Sequence, residues 1–279
     1  DDKNGRLFTV NGVATNFTFN QQNKRFDPLV TLAWDAADGI NLYAKYATGY
    51  RAGGASSRSL NYRSFGPESV KSYELGAKTE LFDRLVRLNL AGYIMDRTDS
   101  QVDFNFFIPQ PNGTVRNTLE TVNAEGTTKI KGIEADITLR PTDSLSFGLS
   151  YAYTDVKIPP ARNTVQEQLN ASLTPPVTTP VFQDVYVVYT PKHALSGSVD
   201  FETPIGGAGA VAKLHLDANY TSPAFTFDNE NVKNEKAFLV NARLSLADIP
   251  MSDNGQALTI SLWSRNLFNV SHIYRRSNA

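Results

Sequence analysis

SVKSYELGAKTELFDRLVRLNLAGYIMDRTDSQVDF, residues 69–104, consists of two long alternating runs joined at Asp83 and Arg84. In the first run Tyr73, Leu75, Ala77, Thr79 and Leu81 fall on one side, with Glu74, Gly76, Lys78 and Glu80 on the other. A period of two belongs to an extended strand whose faces meet different surroundings. Asp83–Arg84 between the runs reads as a tight hairpin connection. Upstream, LVTLAW (29–34) breaks at Ala37–Gly39 and resumes as INLYAKYATGY (40–50), after which the loop 51–67 leads into the quoted stretch. Strand, tight turn, strand and long loop therefore follow one another in order.

The same reading along the chain predicts about ten strands, near 28–36, 40–50, 68–82, 85–107, 117–140, 145–157, 183–202, 211–221, 236–248 and 256–268. Residues 1–27 are polar and loop-like, with RLFTVNG (6–12) and TNFTFN (15–20) as short strand candidates. The connections at 37–39, 83–84, 141–144, 204–210 and 249–255 are short and rich in Gly, Pro, Asp and Ser. Those at 51–67, 108–116, 158–182 and 222–235 are mostly longer, and the two sets interleave. Such sorting puts all turns at one end and all loops at the other, the plan of an all-β, antiparallel up-and-down transmembrane β-barrel. The faces agree: Ile133, Ala135, Ile137 and Leu139 oppose Glu134, Asp136, Thr138 and Arg140, and Phe238, Val240, Ala242, Leu244 and Leu246 oppose Asn241, Arg243 and Ser245. A soluble sheet with one wet face would alternate in the same way; strand length and the sorting of connections favour the barrel.

Composition sets bounds. The 279 residues carry a formal net charge of −1, which advertises no nucleic-acid partner, and no cysteine, which excludes disulfides and Cys-based zinc sites. No apolar run approaches the ~18 residues of a membrane helix, a fact that does not bear on barrel strands. The opening DDKNGRLF is polar and is no signal peptide, so an exported protein would be numbered here from a point inside it.

Catalytic and metal patterns are not found. His193, His215 and His272 are far apart and fit no ligand spacing, Ser196 lies in a strand rather than at a strand-to-helix turn, and Gly206–Gly209 precedes no helix. Glu68, Glu74 and Glu80 read as wall charges balanced by Lys71 and Lys78. Function is expected in the loops. Loop 51–67 carries Arg51, Arg58, Tyr62, Arg63 and Phe65, cations beside aromatics that suit a flat anionic ligand such as a ferric chelate, although a merely solvated loop has the same composition. Asp103–Phe107 is either a second loop cluster or part of an interfacial aromatic girdle. Loop 158–182 is flanked by prolines, and Thr164–Ser172 within it predicts one or two helical turns. Gly76, Gly92 and Gly132 inside strands predict bulges or close backbone approach.

Five segments resemble the C-terminal half of a TonB-dependent outer-membrane receptor barrel, in that family's order: LYAKYATGYRAGG (42–54), FGPESVKSYELGAKTELFDRLVRLNLAGYIMDRTDSQV (65–102), KIKGIEADITLRP (129–141), YTPKHALSGSVDFETP (189–204) and SLWSRNLFNVSHIY (261–274). The resemblance implies a barrel of about 22 strands around a plug, of which about 10–12 are expected here. On that basis residues 1–27 are a loop or strand remnant, 28–279 are the C-terminal part of the barrel, and plug and final strand are not present. It further implies active, non-enzymatic uptake across a Gram-negative outer membrane, with a ferric siderophore foremost among bulky cargoes. Partners would be a TonB-like energy-transducing protein acting through the plug, the lipid bilayer with its lipopolysaccharide, and the small-molecule ligand; no cofactor is implied. The competing expectation is a small barrel complete in itself, a passive porin-like channel or an adhesin.

Overall fold

The computed structural model describes residues 2–10, 13–56, 58–59, 64–109, 112–206, 209–252 and 255–277. A hairpin of β1 (Asp2–Val10) and β2 (Val13–Gln22) precedes β3 (Leu29–Ala37) and β4 (Ile40–Arg51). The short strands β5 (Gly54–Ala55) and β6 (Ser64–Phe65) lie in the next connection, followed by β7 (Glu68–Leu81) and β8 (Val86–Thr98). A second hairpin, β9 (Gln101–Pro109) and β10 (Val115–Asn123), leads to β11 (Thr127–Thr142) and β12 (Leu145–Lys157). Then come β13 (Ala161–Arg162), the helix α1 (Thr164–Ala171) and β14 (Phe182–Gln183). The chain closes with β15 (His193–Ile205), β16 (Ala210–Thr221), β17 (Ala237–Pro250) and β18 (Ala257–Ser264).

Ten of these strands form one antiparallel sheet in the order β18-β17-β16-β15-β12-β11-β8-β7-β4-β3. Each wall strand pairs with its sequence neighbour in the wall, as an up-and-down topology requires, and the sheet is open, with β3 and β18 as its edges. The tight connections all fall at one end. At 82–85 three successive non-glycine residues, Phe82, Asp83 and Arg84, have positive φ, and the Leu85 N–H donates to the Phe82 carbonyl at 3.0 Å. The hairpin read at Asp83–Arg84 is thus one of four residues, closed by the Leu81–Val86 pair.

Register separates the faces. Lys45 pairs with Glu74, Lys78 with Asn89, Asp200 with His215, and Asp217 with Asn241, all on the inner face. The outer face carries Leu32, Trp34, Leu75, Ile94, Ile133, Leu244 and Leu262, each about half or more exposed. A continuous apolar face of that extent is foreign to a soluble monomer and natural in hydrocarbon. Two tyrosines on the inner face lie over strand glycines. The Tyr43 ring covers Gly76 and donates its hydroxyl to Glu74 at 2.8 Å, and the Tyr93 ring covers Gly132.

The wall encloses almost no apolar core. Val102, Phe104, Ala124, Ala161 and Val185 are buried together with Phe106, Val122 and Ile158 around them, and all belong to connections at the long-loop end. Here the structure departs from the strand spans read from sequence. The run 85–107 is β8 plus β9, and 117–140 is β10 plus β11, because the chain folds over at Asp99, which has a φ of 54°. Asn123 seals that fold by donating to the Asp99 carbonyl at 2.8 Å, and the Ala124 N–H donates to the Ser100 carbonyl at 2.8 Å. Side-chain alternation continues across such a corner, so periodicity passes over it. Likewise the front of 183–202 pairs with a loop: Tyr186 and Tyr189 donate their N–H groups to the carbonyls of Asp228 and Phe225, both at 2.8 Å. At the other end of the chain, β18 stops before Asn266, whose side chain closes a turn on Val270.

Candidate ligand-binding face

The loop that held the sequence-derived candidates is tied at its base. Arg51 ends β4 opposite Glu68, whose carboxylate accepts the Gln101 N–H at 2.8 Å. The Gln101 amide donates to both the Ala52 and the Gly66 carbonyls at 3.0 Å, pinning the two ends of the loop. Phe65, in β6, lies against Gly54 of β5: a Cβ there would stand 3.1 Å from the Phe65 ring. Its carbonyl accepts from Gln21 at 3.2 Å, which fastens the β1–β2 hairpin to this loop. Arg51 and Phe65 therefore occupy one clamped loop mouth, and Arg51 is exposed, with no ion pair among the described residues. Arg58 is exposed beside β10, with its carbonyl accepting the Leu119 N–H at 3.3 Å. Tyr62 and Arg63 lie outside the described residues.

Within Asp103–Phe107, two of the aromatics turn into the cap. Phe104 is 1% exposed at the centre of the loop core, its ring centroid 6.2 Å from that of Phe106. It holds the cap together and faces neither lipid nor ligand. The helix foreseen within 158–182 is α1, capped by the Asn163 side chain, which accepts the Gln166 N–H at 2.9 Å.

A second group of cations and aromatics was not singled out by sequence reasoning. Tyr186 stacks on Phe225 with centroids 4.0 Å apart, and the Lys233 ammonium sits 4.5 Å from the Phe225 centroid. The Arg275 guanidinium lies 4.4 Å from the centre of Phe227, and Tyr189 stacks on Tyr274 at 5.3 Å. Arg276 pairs with Glu235 at 2.6 Å, so the segment after β18 is bound to the loop after β16. In the same loop, burial pushes the Asp228 carboxyl up to about 6; Asp103 and Glu230 push the same way, and the N–H groups of Asp228 and Asn229 oppose them. The signal was the one used for loop 51–67, aromatics next to cations in Phe225, Phe227, Tyr274 and Arg275. It was spread over three segments, one of them hidden inside a supposed strand.

A larger hollow than any beside these loop residues lies elsewhere among the described residues. About 1020 Å³ opens on the inner face at the turn end, lined by Asp83, Arg140, Asp200, Lys213, His215 and Arg243. It is the concave side of the wall, with charges of both signs, and the loop aromatics do not reach it. Among the described residues no cluster of His, Asp and Glu is arranged to hold a metal ion.

Comparison with known proteins bears on this architecture. A family model described as TonB dependent receptor-like, beta-barrel, matches residues 2–267. The chain superposes on the ferric yersiniabactin uptake receptor FyuA from Yersinia pestis with a TM-score of 0.68 at 16% identity, over 97% of this chain and 37% of FyuA. The siderophore receptor PiuA from Acinetobacter baumannii gives 0.68 at 14% identity, over 96% and 36%. BauA, the ferric preacinetobactin receptor from the same organism, gives 0.59 at 17%, over 93% and 34%. The chain spans little more than a third of these structures, and at such identities the likeness is one of fold. A search of curated proteins gives no match.

Proposed function

We propose, on the premise that this chain belongs to the TonB-dependent receptor β-barrel family, that it supplies wall and outer loops to an outer-membrane receptor importing a ferric siderophore. The observation that carries the reading is the division of labour within the chain. One sheet has a lipid-compatible outer face and a charged inner face, and its loops pack into a cap bearing two groups of cations and aromatics. Arginine and lysine beside aromatic rings suit a planar, anionic chelate. Import through such a wall would draw on a TonB-like protein acting on a plug, with no chemistry performed on the cargo. The long loops would face the cell exterior and the tight turns the periplasm. Loops packed against one another support gated capture over an open passive channel.

A strain deleted for the full receptor gene, grown under iron limitation on a panel of ferric chelates, tests the proposal. Loss of growth and uptake on one chelate class is expected, restored by the intact gene; undiminished uptake on every chelate would refute the siderophore assignment. Within the receptor, Arg51→Ala is expected to weaken binding of an anionic chelate about tenfold, and Arg63→Ala to act in the same direction. Unchanged affinity in both variants would remove loop 51–67 from the binding face.

A further inference from the structure

The large aromatics of the inner face are not used alike. Tyr43 lies over Gly76 with its hydroxyl on Glu74, and Tyr93 lies over Gly132 with its hydroxyl 3.4 Å from that of Thr154. Trp263, the cross-strand partner of Arg243 halfway along β17, faces the same way and is 63% exposed. Among the described residues its ring N–H has no acceptor. Two guanidinium groups flank it. Arg265 lies 5.5 Å from the ring centre, and Arg243 donates to the Ser261 hydroxyl at 3.2 Å. Among the described residues neither arginine has a carboxylate within ion-pair distance. The nearby acids are engaged: Asp217 accepts from Asn219 at 3.1 Å and from Asn241 at 2.7 Å, and Asp200 holds His215 at 2.6 Å. The end of β18 is also fixed, since the Asn266 N–H donates to the Asn241 side chain at 2.9 Å and the Leu267 N–H to the Val240 carbonyl at 2.7 Å.

With His215, Asp217 and Asn241 these three side chains line a recess of about 400 Å³, a size that takes a small molecule. His215 and Arg243 also line the hollow of about 1020 Å³ at the turn end. In the other direction the segment after β18 carries Tyr274 and Arg275 into the cap, against Tyr189 and Phe227. The recess therefore stands between the outer cations and aromatics and the inner hollow, and repeats the chemistry of the former on the wall itself.

We infer that Trp263, Arg243 and Arg265 form a second, inner binding site for an anionic chelate whose metal ligands are aryl oxygens. An aryl ring stacks on the indole, and the guanidinium groups hold its phenolate or carboxylate oxygens through paired N–H donors. A chelate built from hydroxamates alone offers neither the ring nor the negative charge. The inference narrows the cargo of the proposed import and rests on that reading for the direction of travel, while its test needs no uptake. Full-length receptor labelled with 5-fluorotryptophan is held in detergent micelles, and the Trp263 fluorine signal is assigned from Trp263→Phe. The probe is the gallium(III) complex of 2,3-dihydroxybenzoate, with neutral gallium(III) acetohydroxamate as the comparison arm. The aryl complex is expected to shift the Trp263 signal saturably and the hydroxamate complex to leave it in place. The double variant Arg243→Gln and Arg265→Gln, shown to be folded by heat-modifiable gel mobility, is expected to bind the aryl complex about tenfold or more weakly at this site. An equal response to both complexes, or unchanged affinity in the folded double variant, would overturn the inference. A Trp263 signal that neither complex moves and that a soluble gadolinium chelate does not broaden would make the indole a packing residue, and would overturn it too. A deletion strain that still takes up every chelate would refute the import reading and leave this binding result standing.

Discussion

Gly92 and Gly132 lie on adjacent wall strands and face opposite ways, and substitution is expected to tell them apart. A Cβ at Gly132 would stand 2.4 Å from the Tyr93 ring and 2.6 Å from the Tyr153 carbonyl oxygen. Ring and backbone must both move, so Gly132→Ala is expected to cost about 1–3 kcal/mol. Gly92→Ala meets open space and is expected to stay within roughly 0.5 kcal/mol of the parent. Urea midpoints of the folded receptor, read by heat-modifiable mobility, check both. Sequence marked both glycines as bulges or close approaches, and of the two Gly132 is the close approach; which neighbour leans on a glycine is a cross-strand fact that a single strand does not display. Asp228 gives a pH dependence. The folded loop holds the Asp228 proton more tightly than an unfolded one, since burial has raised its carboxyl from 3.8 to about 6. Its stabilising contribution is therefore full below about pH 4 and lost as pH rises through about 6. Protection of the Tyr186 amide, which donates to the Asp228 carbonyl, is expected to fall about tenfold over that interval after correction for intrinsic exchange. Asp228→Asn is expected to flatten the profile.

At the scale of elements the outer cap behaves as a unit distinct from the wall. Phe104 from β9 packs with Ala124, with Ala161 of β13, and with Val185. Phe104→Ala is expected to cost about 3–5 kcal/mol locally. Limited proteolysis with mass-spectrometric mapping would then show new cleavage within 99–126 while the ten wall strands stay protected. The wall strands were legible because they alternate over 8 to 16 residues between two unlike media. The cap was not, because DFNFF and TLETVN also alternate, and the corner between β8 and β9 is made by backbone at Asp99 and an amide of Asn123 sent from the far end of the hairpin. Helix α1 could be foreseen from its flanking prolines, whereas the Tyr186–Phe225–Lys233 stack joins residues that only the folded loops bring together.

For the whole molecule, the open edges at β3 and β18 dominate the physics. In hydrocarbon every unpaired N–H and C=O costs several kcal/mol, so both edges need partner strands. The 279-residue polypeptide refolded alone in detergent is expected to give no heat-modifiable monomer; a stable folded monomer would show that the sheet closes on itself. Five sequence segments sufficed to recognise a partial barrel, because wall motifs record local turn and strand chemistry. The loop contacts proposed here to select a cargo leave no such local record. The buried cluster linking residues 102–185 bears on how ligand choice could change over time. Grafting a single loop from a relative would leave Phe104 or Val185 facing a mismatched neighbour, so new tastes are best acquired by exchanging the stretch from β9 to β15 wholesale. Chimaeras cut at the wall strands should thus outlive those cut within the cap.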